Sequence, residues 1–196
     1  MKSQTNKQLL KSRINSFLIA AVVVVAILFF IPTRADASPI AIWPYIQKEA
    51  TQAGLDPHFV YAIAFAESTL DPFADSGKAR GVMQLKKIAW KTVTDIPYAY
   101  AWDWQTNIKV GIAYLNHCKT ILVKNNRFSY PMLAATYRYG PTYMKNMGYN
   151  LGNIKKSKNK VYQQILSGKR GYIEGVVYPT FVTANYTNTN QEFLYR

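Results

Sequence analysis

Cysteine occurs once among the 196 residues, at Cys118, and histidine twice, at His58 and His117. A lone cysteine excludes an internal disulfide, and its place after Leu115 on a helical pattern suits a small buried apolar role. Two distant histidines without a Cys/His cluster offer no metal cage. Neither a phosphate-cradling loop nor a dinucleotide fingerprint occurs, so no cofactor is expected. Repeats at solenoid periods are missing. No apolar run reaches the roughly 20 residues that span a bilayer comfortably. Alternating strand patterns are scarce, the best being residues 176–182. Acids are few as well: ten Asp and Glu face 24 Lys and Arg, a formal net charge of +14.

What is present begins with the N-terminus. Lys2, Lys7, Lys11 and Arg13 precede an apolar run over residues 17–31. Pro32 breaks the run, and Ala35-Asp36-Ala37 places small residues at the −3 and −1 positions of a cleavage site. Residues 1–37 thus read as a secretory signal peptide, with an uncleaved inner-membrane anchor as the alternative. They contain five of the basic residues and one of the acids, which leaves 19 basic and nine acidic residues in the remainder. Such an excess would point to nucleic acid in a cytosolic protein. Beyond the inner membrane the polyanions are wall polymers and lipid headgroups, and no nucleic-acid partner is expected. The run from Lys155 to Lys160 reads as a solvated helix edge.

The remainder is punctuated as short helices, which predicts a mostly α domain over residues 38–170. Pro44 can open a first helix that Gly54 ends. Asp56-Pro57 is an N-cap followed by proline, starting a helix that runs to about Ser68. A polar loop from Thr69 to Arg80 follows, then a helical segment led by Gly81-Val82-Met83-Gln84 to about Thr94. A long amphipathic helix is predicted from about Gln105 to Lys124. Ser129 and Pro131 start another, which Gly140-Pro141 stops. A last helix is expected around residues 159–166. Residues 171–196 form a C-terminal extension rich in Tyr, Thr and Asn.

Among the few acids, Glu67 differs from the rest. Val60, Ile63 and Ala64 precede it at i−7, i−4 and i−3, so it continues an apolar stripe rather than a charged face. A carboxylate there loses hydration, which raises its pKa toward what a general acid needs. On position alone, a helix-terminal glutamate emerging into solvent explains it as well.

The neighbouring residues favour chemistry. Glu67-Ser68, Pro72, Ala74, Ser76 and Gly81-Val82-Met83-Gln84 resemble the first motif of the soluble lytic transglycosylase family. Asn107, Gly111, Tyr114 and Leu115 resemble its N-x-x-x-G-x-x-Y-L helix, and Ala134–Gly140 its A-x-x-A-Y-N-x-G segment. The three occur in order over roughly residues 42–145. Two departures stand out: the loop between Ser76 and Gly81 is about one residue short, with Lys78 where glycine is usual, and Arg138 replaces asparagine.

The resemblance implies a lysozyme-like α domain with a sugar-binding groove, acting on peptidoglycan glycan strands. It makes Glu67 the single catalytic acid/base, cleaving between N-acetylmuramic acid and N-acetylglucosamine to leave a 1,6-anhydro ring. Ser68, Ser76, Met83, Gln84, Tyr137 and Arg138 become candidate substrate-binding residues. Gln84 offers both a donor and an acceptor. Met83 supplies either a groove wall or core packing. Tyr137 can bring its hydroxyl near Glu67, stack on a sugar, or fill the core. Arg138 can meet a stem-peptide carboxylate. Two other readings stay open: a hydrolase with Asp71 or Asp75 holding the water, and a non-catalytic wall-binding component of a trans-envelope machine. Service to a secretion, conjugation or pilus apparatus is compatible with the resemblance.

Overall fold

A computed structural model describes residues 39–168, and the proposed signal segment, the C-terminal extension and the candidate strand at 176–182 lie outside them. The described residues form seven α-helices: α1 (Pro39–Gln52), α2 (Pro57–Ser68), α3 (Lys87–Val93), α4 (Trp104–Lys124), α5 (Tyr130–Tyr139), α6 (Pro141–Asn146) and α7 (Lys160–Leu166). Two short strands, β1 (Ala79–Arg80) and β2 (Leu85–Lys86), pair antiparallel between α2 and α3. The expected mostly α character holds. None of the described helices is long and apolar enough to cross a membrane.

Capping residues act as their types suggest. Asp56 accepts from His58 N–H at 2.9 Å and Pro57 begins α2. Ser129, Asn159 and Asp103 cap α5, α7 and α4 in the same manner. Three expectations need correction. Pro44 lies inside α1, which starts at Pro39; so near the helix start, its missing N–H forfeits a single intrahelical bond. The segment after Gly81 first makes a tight turn and β2 before α3 begins. Pro141 stops α5 but opens α6, because proline is well tolerated in a first turn.

Helix α4 is the organising element, packed against α1, α3 and α5. Ile108, Leu115, Cys118 and Leu122 are fully buried along it. Burial pushes the Cys118 thiol up to about 12, consistent with an inert packing role. Gly111 occurs where α4 meets the sulfur of Met83: an added Cβ would sit 2.3 Å from it. We expect Gly111→Ala to cost about 1–3 kcal/mol through overpacking. Met83→Val should relieve part of that cost, and urea denaturation of both single variants and the double measures the coupling. Strict additivity would mean that this contact is not what requires glycine.

The exit from α2 is unusual. Thr69 and Leu70 both take left-handed backbone angles, with φ of 58° and 67°. Side-chained residues adopt that region at a cost. Leu70 is 4% exposed, so its burial offsets the strain and turns the chain away directly after Glu67-Ser68.

Candidate active site

The stripe read from the sequence delivers Glu67 to the floor of a cleft. Val60, Ile63 and Ala64 are fully buried, which fixes the rotation of α2. One turn later the Glu67 side chain is 15% exposed and lines a cleft of about 600 Å³. Ser76, Ala79, Gln84, Lys86, Tyr137 and Arg138 contribute to its walls. Glu67 is the only carboxylate among the lining residues.

Two side chains hold this carboxyl, both on the same oxygen. The Tyr162 hydroxyl donates to Oε1 at 2.5 Å, and Arg138 Nη1 lies 3.5 Å from that atom. Among the described residues Oε2 has no protein partner, so it is the oxygen free to face a ligand. Burial raises the Glu67 pKa above the usual carboxylate range, against the opposing pull of Tyr162, Arg138 and Lys86. Desolvation wins because only one oxygen is hydrogen-bonded and the positive groups are partly hydrated.

Tyr162 reaches Glu67 from α7, and α7 is tied to α2 by Asn159. Besides capping α7, Asn159 donates through Nδ2 to the Ala66 carbonyl at 2.9 Å. The Arg138 guanidinium lies over the Tyr162 ring, 4.3 Å from its centroid. The acid is thus surrounded by side chains of α5 and α7 and the β2 end of the hairpin.

The other residues singled out from the sequence divide into two groups. Gln84, Ser76, Tyr137 and Arg138 line the cleft with Glu67; Ser68 and Met83 do not. Gln84 adopts a left-handed backbone, φ 46°, and its Nε2 donates to the Ala74 and Gly81 carbonyls. That leaves its Oε1 for a ligand donor. Ser76 accepts from Ala79 N–H at 3.1 Å and shapes the loop. The Tyr137 hydroxyl donates to the Met83 carbonyl at 2.7 Å rather than to Glu67. Ser68 spends its hydroxyl on the Val82 carbonyl at 2.6 Å. Met83 is fully buried, so of the two roles considered for it, packing is the one it fills.

The turn carrying Gln84 is held from α4. Asn107, fully buried, accepts from Met83 N–H at 2.8 Å and donates to the Arg80 and Ala101 carbonyls, each at 3.0 Å. Gly81 closes against it with φ 74°; a Cβ there would lie 2.3 Å from Asn107 Nδ2. Asp71 and Asp75 play local parts, accepting from Phe73 and Gly77 N–H groups, and neither lines the cleft.

Sequence reasoning missed Tyr162, Asn159 and Lys86. Tyr162 was one of 15 tyrosines, and only the docking of α7 on α2 distinguishes it. Asn159 was legible as a helix cap but not as the link between two helices.

The chain is similar to known proteins. The chain is 36% identical over 73 residues to a membrane-bound lytic murein transglycosylase F from Desulfosudis oleivorans, a match covering 37% of this chain and 15% of that protein. The X-ray structure of an inactive mutant of the lytic transglycosylase Slt from Pseudomonas aeruginosa aligns with a TM-score of 0.49 at 23% identity. That alignment covers 65% of this chain and 21% of the other. The chain therefore spans a small part of either relative's length. The transglycosylase SLT domain model matches residues 44–169, most of the chain, and the chain belongs to that family.

Proposed function

We propose that this protein is a peptidoglycan lytic transglycosylase in which Glu67 acts first as acid and then as base. One observation carries the reading: a desolvated carboxyl stands alone in a cleft, anchored by one oxygen, with the other available to a ligand. Family membership and the name of the matched murein transglycosylase F support the same activity.

In this mechanism Glu67 Oε2 gives its proton to the glycosidic oxygen between N-acetylmuramic acid and N-acetylglucosamine, and the C1–O bond breaks. The carboxylate then removes the proton of the muramic C6 hydroxyl, whose oxygen closes onto C1. The proton lost in the first step is regained in the second, so the enzyme is restored and no water is consumed. Tyr162 donates to Oε1 throughout. Gln84 and Arg138 bind along the cleft. We assign the activity to the cell envelope; the basic and apolar N-terminal segment, read as a signal peptide or an uncleaved anchor, supports placing it outside the cytoplasm. Opening wall gaps for a secretion, conjugation or pilus apparatus would be a use of this activity.

A hydrolase would instead need a base to activate water. Asp71 and Asp75, the loop candidates, are engaged in turns. Asn at either position can still accept the same backbone bond. Asp71→Asn and Asp75→Asn are accordingly expected to retain most of the parental activity. Mass spectrometry of the released muropeptides should find 1,6-anhydro ends, lighter by one water than hydrolysed ends. Mainly hydrated ends, with activity lost in either variant, would assign a lysozyme-type hydrolase instead. No release by the parental protein would leave a wall-binding module.

A further inference from the structure

Arg138 stands where the motif it belongs to ordinarily has asparagine, and it does not simply point into the cleft. Its Nη1 is 3.5 Å from Glu67 Oε1, and its guanidinium carbon lies over the ring of Tyr162, the other residue bound to that oxygen. Asparagine at this position could donate one hydrogen bond but could not bring a charge. Arginine brings a permanent one, in a planar group suited to stacking on a ring.

We propose that Arg138 is a positioning residue for Glu67: clamped on Tyr162, it keeps a counter-charge beside the carboxyl through both proton transfers and so sets the pH range of the acid. The inference rests on the acid/base reading of Glu67. Between the two transfers the glutamate is an anion in a desolvated cleft, and a fixed cation stabilises it without reorganisation. The same cation weakens the hold of Glu67 on its proton before the first transfer. Burial acts in the opposite direction, so the two effects together place the acid.

The groups facing Glu67 from its neighbours are few. Tyr162 approaches from α7, Arg138 and Tyr137 from α5, and Lys86 from β2. The Tyr137 hydroxyl is occupied by the Met83 carbonyl, and among the described residues Arg138, 3.5 Å from Oε1, is the cation that forms an ion pair with Glu67. Arg138 is therefore the cation whose removal acts most directly on the acid.

The test compares the full-length protein with its Arg138→Asn, Arg138→Met and Arg138→Lys variants. For each, kcat/KM on a soluble glycan fragment is measured against pH, together with a ¹³C NMR titration of the Glu67 carboxyl. In the Asn and Met variants the basic limb and the NMR midpoint are expected to move to higher pH, because Glu67 holds its proton more tightly. Their plateau rates should fall roughly tenfold. Arg138→Lys keeps the charge, so its limb should stay near the parental position although the plateau falls. Limbs and midpoints that stay put in both neutral variants would overturn the proposal, whatever happens to the rate. If Arg138→Asn does not fold, Arg138→Met, which keeps most of the apolar stem, decides the matter. Absence of glycan release by the parental protein would count against the acid/base reading alone, and the NMR midpoints would still decide the coupling.

Discussion

Glu67→Gln should lower glycan release by at least about 10²- to 10⁴-fold, the usual contribution of a general acid, while making the protein more resistant to heat at neutral pH. The two effects share a cause. Glutamine keeps the shape and can still accept from Tyr162 through its side-chain oxygen, but it cannot lend or take a proton. Burial raises the folded-state pKa of Glu67 above its unfolded value. The stability associated with such a group is fully present below the unfolded pKa and is lost as pH rises through the folded one. At neutral pH the parental protein thus bears the cost of a desolvated anion that the variant avoids. Arg138 loses its counter-charge but keeps its place over the Tyr162 ring; it is about one-third exposed, so water replaces the ion pair at small cost. The melting-temperature difference should therefore shrink as the pH falls into the carboxylate range, where the parental side chain is neutral too. Thermal denaturation followed by circular dichroism across that range measures it. A variant that is less stable than the parent at neutral pH, or that retains parental activity, would contradict the assignment.

Asn107→Leu should be the most damaging single change to the fold. Asn107 is fully buried and makes three hydrogen bonds, to Met83 N–H and to the Arg80 and Ala101 carbonyls. Leucine has the same branched outline but bulkier methyl groups, and it satisfies none of them. Each stranded buried group costs roughly 1–3 kcal/mol, and partial access of water to the carbonyls tempers the sum to about 3–5 kcal/mol. Gly81 compounds the effect, because its backbone is seated against the Asn107 amide with no room for a Cβ. The turn it belongs to carries Gln84 into the cleft, so activity should fall with stability. Urea denaturation gives the first quantity, and glycan release below the transition gives the second. A loss under about 1 kcal/mol would mean that the turn is held by something other than this side chain.

How much of this could be read from the sequence depended on whether local or distant residues decide a feature. Asp56-Pro57, Ser129-Tyr130-Pro131 and the apolar stripe ahead of Glu67 are local, and they sufficed to locate α2, α5 and the position of Glu67 on the last turn of α2. The start of α1 was misplaced because a proline in the second turn of a helix and one at its start look alike in sequence. The turn at 81–84 was blurred into a helix because its shape comes from Asn107, 24 residues away from Met83. Hydroxyl partners were the least legible feature. Ser68, Tyr137 and Tyr162 all carry hydroxyls near the cleft, yet only docked helices determine that the first two bind carbonyls and the third binds Glu67. Arg138 was noticed as a departure from a motif, but its pairing with the acid follows from α5 and α7 lying side by side.

The distance along the chain between Glu67 and its supports has a consequence for biosynthesis. Arg138 follows it by 71 residues and Tyr162 by 95. Ribosomes add roughly 5–20 residues per second, so the carboxyl exists for roughly 5–20 seconds before its tyrosine has been made. Until α7 docks, Oε1 has no hydroxyl to orient it, and the acid cannot settle into its bound geometry. A chain that stops short of residue 162 has the acid but lacks the group that aims it. The surroundings of Glu67 are thus complete only once α7, the last of the described helices, has docked.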